Sequence, residues 1–157
     1  MKFTLVKNIQ KDSAMSLILK GFLLFIFLYL ISDVLVMNAS FGLSVDTITT
    51  TLFGNEEEYI DPINEAAFLE FWHTQIFFVM MVLLTLNAIF IRVANRSRVI
   101  NTNILMISAI TSLISLVLAY YMSDFFVNVY MWSYFIWHGM AGYMIIYSFW
   151  KLRAKSV

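Results

Sequence analysis

The sequence predicts an all-α membrane protein, a four-transmembrane-helix bundle with both termini inside (N-in/C-in). Three observations predict it. The 157 residues are 61% hydrophobic and 13% charged, with a mean hydropathy of +0.81, far from the balance of a soluble domain. Four apolar stretches, residues 17–37, 68–93, 104–122 and 125–150, each reach the length of about 20 residues that a helix needs to cross ~30 Å of hydrocarbon. The charges are also sorted. Lys2, Lys7, Lys11 and Lys20 accompany the first span, Arg92, Arg96 and Arg98 lie between the second and third, and Lys151, Arg153 and Lys155 follow the fourth. The positive-inside rule makes that side cytoplasmic. Asp46, Glu56, Glu57, Glu58, Asp61 and Glu65 crowd the opposite side, with Asp124 before the fourth span. Residues 1–157 therefore form one transmembrane domain.

In order along the chain, "KFTLVKNIQK" alternates basic and apolar residues and is expected to lie along the inner membrane surface. The first apolar run is too long for a signal peptide and has no clear small-residue cleavage site, so it reads as a retained helix, with Asp33 near its outer end. Residues 38–61 read as the one long connection, an acidic outer loop serving as a lid or a solvated strap. Within it, "VDTITTTLFGNEEEY" carries β-branched residues, then a Gly-Asn turn and an acidic run. In "DPINEAAFLEF", Asp61 is the expected N-cap, Pro62 suits the first helical position, and Glu65 complements the helix dipole. The third and fourth spans, joined by "MSDF", form an antiparallel hairpin capped by Ser123 or Asp124.

Several functions are excluded early. Zero net charge gives no basic field for nucleic acid. The absence of cysteine removes disulfides, thiolate metal sites, iron–sulfur clusters and covalent c-type haem.

Two histidines, His73 in "FWHTQIFF" and His138 in "IWHGMAGY", sit within apolar stretches, and each directly follows a tryptophan. Both helices run from outside to inside, so the two imidazoles are expected at comparable depth. Two imidazoles on facing helices are the minimum for holding a b-type haem iron from both sides. The expected site is therefore haem b, with His73 and His138 as axial ligands and Gly139 and Gly142 allowing close approach of the macrocycle. Asp33 and Glu70 are the expected partners for the second ring nitrogen of a ligating histidine. The layout resembles small four-helix membrane cytochromes, although cytochrome b561-like chains carry more ligating histidines than the two present here. The expected role is electron transfer as a subunit or partner of a larger redox complex, with other redox-complex subunits or quinone as partners, in the bacterial inner membrane.

Other readings stay open beside it. Copper could be held by His73, His138 and Met140. Glu70-x-x-His73 has the spacing of di-metal bundles, but Phe135 stands where a second carboxylate would be needed. A non-enzymatic transporter or assembly protein, as monomer or homo-oligomer, would use its histidines to handle protons or to pack. Gln75, Thr85, Asn87 and Ser108 read as interhelical hydrogen bonders.

Overall fold

The computed structural model describes residues 13–94 and 98–153. The expected amphipathic segment before residue 13, and Lys2, Lys7, Lys11, Arg96 and Lys155, lie outside the described residues. Those described form helices throughout: α1 (Ser13–Ser40), α2 (Val45–Phe53), α3 (Glu65–Val93), α4 (Arg98–Tyr121) and α5 (Phe125–Arg153).

Three of these, α1, α3 and α4, are long and apolar enough to cross a membrane. α5 is as long as α3 but carries Tyr130, Tyr134, Tyr143 and Tyr147, Trp132, Trp137 and Trp150, and His138. Hydropathy scales count these rings as polar, although their bodies are apolar and pack well. Short connections at 94–97 and 122–124 make α3, α4 and α5 successive antiparallel neighbours. Arg92, Arg98, Lys151 and Arg153 consequently share one end of the bundle, called the basic end below. Asp46, Glu56–Glu58, Asp61, Glu65 and Asp124 share the other, the acidic end.

The long connection differs from expectation, because α1 runs on to Ser40 and much of the remainder is α2. Its threonine-rich sequence favours strand locally, yet a reciprocal cap starts a helix: the Ser44 Oγ accepts from Thr47 N–H, and Thr47 Oγ1 accepts from Ser44 N–H. Ile48 and Leu52, one turn apart, are then buried on a single face. Thr51 donates to the Thr47 carbonyl and hides its polarity within the helix. The Gly-Asn turn is present: Gly54 has φ +80, and Asn55 and Ile60 pair across the acidic run.

α3 also starts later than expected. Asn64, not Asp61, is its N-cap, its Oδ1 accepting from Ala67 N–H at 2.9 Å. Pro62 lies before the helix in extended chain, where Ile63 N–H donates to the Thr51 carbonyl. At the hairpin before α5, Ser123 Oγ accepts from Phe125 N–H at 3.3 Å, as a cap should.

The closest helix pair is α4 with α5. Ser108, Ser112, Ser115 and Ala119 line the buried stripe of α4, and small residues let two backbones approach in lipid. Ser108, Ser115 and Ser133 donate to the carbonyls of Ile104, Thr111 and Val129 of their own helices at 2.7 Å, so their hydroxyls cost little when buried. Trp72 Nε1 donates to the Leu113 carbonyl at 2.9 Å and registers α3 against α4.

Buried side chains form two apolar clusters. One, around Leu23, Leu86, Phe90, Leu105 and Met144, fills the half nearer the basic end. The other, around Met37, Phe41, Ile48, Phe68 and Val127, lies under α2 at the acidic end. α2 thus closes the bundle with Ile48 and Leu52 as its plug.

Candidate functional site

Between the two apolar clusters lies a polar layer centred on Asp33, 4% exposed on α1. Near the end of α1, Asp33 shares a face with Tyr29 one turn before it, and Tyr29 donates to Oδ1 at 3.2 Å. Gln75 of α3 donates through Nε2 to Oδ1 at 2.9 Å. Tyr134 of α5 donates to Oδ2 at 3.2 Å. His138, one turn further along α5, brings Nε2 within 3.1 Å of Oδ2. Three helices therefore converge on a single carboxylate. Hydrogen bonds aimed at an ionised acceptor are among the stronger ones, and the intramembrane setting leaves no water to replace them.

The imidazole's protonation follows from its partners. His138 Nδ1 is 3.0 Å from the Tyr134 carbonyl oxygen. A carbonyl only accepts, so Nδ1 carries the proton and donates. Nε2 then either bears a second proton or presents a lone pair. A lone pair 3.1 Å from an ionised carboxylate would be repulsive, so the gap between Nε2 and Oδ2 holds one proton. The pair is imidazolium with carboxylate or imidazole with carboxylic acid, neutral as a unit in both cases. The contact is close but off the line of a well-formed hydrogen bond, and Nε2 has no other partner. Ring packing fixes the imidazole further, with Trp137 and Tyr134 centroids at 3.8 and 4.1 Å.

A void of about 10 Å³ beside Gln75, Ser112, Tyr130, Tyr134 and Trp137 is at the lower limit for one water molecule. Tyr130 donates to Met37 Sδ at 3.1 Å directly on the acidic-end side.

The structure does not bring the two histidines together. His73 and Glu70 are exposed on α3, because residues two apart lie on different sides of a helix and Gln75, not His73, faces the core. Asp33 does partner a histidine, but it is His138. Gly139 and Gly142 face open space, where a Cβ added to either would meet nothing within 4 Å. Both ring nitrogens of His138 face protein atoms, so this arrangement does not fit a bis-histidine haem. It equally separates His73 from the copper set that would include His138 and Met140. Among the described residues no three His, Asp or Glu side chains gather as metal ligands. Of the expected hydrogen bonders, Gln75 crosses between helices, whereas Ser108 bonds its own helix. Tyr29 and Tyr134 went unnoticed in the sequence, although Tyr29-x-x-x-Asp33 and Tyr134-x-x-x-His138 are one-turn spacings.

A family model described as a transmembrane helical domain, Aq_1264_TM, matches residues 42–156. The match covers α2 to α5, whereas α1 with Asp33 precedes it. No curated protein and no solved structure matches the chain. Since the match takes in well over half of the sequence, the chain belongs to the Aq_1264_TM family of transmembrane helical domains.

Proposed function

We propose that this is a proton-handling membrane protein, a small non-enzymatic transporter whose titrating unit is the Asp33–His138 pair. The observation that carries the reading is the 3.1 Å approach of Nε2 to Oδ2 while Nδ1 donates to a carbonyl. Ionisable groups inside a membrane are costly and serve ion or proton pathways more often than packing. The void beside the layer is too small for a hydrated ion. Separating α5 from α1 parts the two groups. Each then holds or releases its proton independently, so the number of bound protons changes with helix position. Tyr29 stays with the carboxylate on α1, whereas Tyr134 leaves with α5 and Gln75 leaves only if α3 moves.

The proposed topology is four spans in the bacterial inner membrane, with the basic end and both termini cytoplasmic. The 29 residues of α5 make a helix of about 43 Å, ample for a ~30 Å core. Trp150 and Lys151 at its basic end suit the interface, with Lys151 Nζ 5.7 Å from the Trp150 and Tyr147 ring centroids.

Electron transfer through a b-type haem is the competing proposal. It requires His73 to leave its exposed face and His138 to give up Asp33. A visible spectrum of the purified protein separates the two, since a haem gives a Soret band. The proton reading is tested in vesicles carrying an internal pH dye. Under an imposed pH gradient, protein-containing vesicles should equilibrate faster than empty ones, and Asp33→Asn and His138→Gln should remove the difference. Wild-type vesicles indistinguishable from empty ones would end the transport reading.

A further inference from the structure

Among the described residues, the half of the bundle nearer the basic end contains three buried side-chain oxygens without a hydrogen-bond partner: Asn87 Oδ1 on α3, Thr102 Oγ1 on α4 and Ser148 Oγ on α5. Ser148 is fully buried and Asn87 is 9% exposed. The contrast with the other hydroxyls is informative. Ser108, Ser115 and Ser133 bond the carbonyls one turn back. Thr102 and Ser148 have equivalent carbonyls at Arg98 and Met144 and make no such bond. Leaving three polar atoms dry in an apolar interior is unfavourable at each one.

Their positions converge. From the Trp72–Leu113 bond that registers α3 against α4, Asn87 is 15 residues and Thr102 11 residues towards the basic end, about 22 and 16 Å. At ~100° per residue both return to within about 60° of the flank marked by that bond. Ser148 is five residues from the end of α5, and Thr102 is four from the start of α4. Phe90, one turn from Asn87, meets Tyr147, the chain neighbour of Ser148, with ring centroids 5.6 Å apart. α3, α4 and α5 thus each carry one such oxygen in the half of the bundle nearer the basic end.

We propose that Asn87, Thr102 and Ser148 hold an internal water molecule as their common hydrogen-bond partner. One water donates to the Asn87 carbonyl oxygen and to one hydroxyl and accepts from the other. That gives it the three bonds usual for buried water and satisfies all three oxygens. A neutral ligand suits the site, because among the described residues no Asp or Glu lies in this half of the bundle to offset the charge of a bare cation. It is distinct from the Asp33 layer, lying about 18 Å along α3 from Gln75 and about 15 Å along α5 from His138.

The test uses the full-length protein in nanodiscs and the variants Asn87→Leu, Thr102→Val and Ser148→Ala, singly and combined. With a shared water, each single variant strands the remaining partners and lowers Tm by a few degrees, and the triple variant recovers most of the loss. Dry side chains would give the reverse, each variant raising Tm additively, and that would overturn the proposal. A wild-type Tm that rises when sodium replaces potassium at equal ionic strength, with the triple variant unresponsive, would replace the water by a cation and also overturn it. Radiolytic labelling of the wild-type protein needs no variant to fold. Tyr147 beside a held water should take up oxygen as a solvent-contacting residue does, and an unlabelled Tyr147 would count against the site.

Discussion

Asp33 Oδ2 and His138 Nε2 lie 3.1 Å apart in the middle of the bundle, one on the first helix and the other on the last. Their side chains are only 3% and 10% exposed. The pair joins distant parts of the chain, so it ties stability to whatever the proton does.

Breaking both sides of this pair should therefore cost less than the two single losses added together. Asp33→Asn leaves His138 without its carboxylate partner, and His138→Leu leaves a buried carboxylate without its imidazole. Each should destabilise by about 2–4 kcal/mol. The Asp33→Asn/His138→Leu double variant should lose less than the sum, with a coupling of about 1–3 kcal/mol. Reversible unfolding in mixed detergent micelles gives the cycle, and strict additivity would mean that the two side chains merely lie near each other.

His73 and Glu70 should behave as ordinary exposed residues. His73→Ala and Glu70→Gln are each expected to change stability by no more than about 0.5 kcal/mol. Neither should alter proton movement in vesicles, whereas His138 variants should. A His73→Ala protein as impaired as a His138 variant would restore the shared-histidine site.

The cap that begins α2 depends on a tight approach. Gly42 has φ +82, and a Cβ there would collide with the Thr47 side chain. Gly42→Ala should displace Thr47 from its bonds with Ser44 and fray α2, with Ser44→Ala a milder version costing about 1 kcal/mol. Amide hydrogen exchange at Ile48–Leu52 should accelerate in both, more in Gly42→Ala. Unchanged protection would show that burial of Ile48 and Leu52 suffices without the cap.

Topology can be read from reporter fusions. Fusions after Asn95 and at Val157 should report cytoplasm, and one between Gly54 and Glu58 should report periplasm. A periplasmic C-terminus would remove α5 from the membrane and the four-span arrangement with it.

The sequence revealed which residues to suspect but not which ones meet. Hydropathy located α1, α3 and α4, because span length and apolar content are properties of the chain itself. The facing of each helix was not legible, since lipid-facing and core-facing sides are both apolar. On α3, the stripe of Gln75, Val79, Val82 and Leu86 turns inward, and the stripe of His73, Phe77, Met80 and Leu84 turns outward. Apart from Gln75 and His73 these two stripes look alike in hydropathy, so His73 and His138 seemed equally placed. α2 was hidden for a different reason: its threonines argue for strand locally, and only the Ser44–Thr47 cap and the burial of Ile48 and Leu52 decide for helix.

The central claim is that one proton lies between Asp33 and His138 while a second is fixed on Nδ1. Nitrogen-15 NMR of histidine-labelled protein in lipid tests it most directly, with exposed His73 as an internal reference. The expected spectrum has a His138 Nδ1 that is protonated and slow to exchange with solvent, and an Nε2 whose signal changes in Asp33→Asn. A His138 whose Nδ1 lacks a proton, or whose Nε2 signal is unchanged in Asp33→Asn, would contradict the account.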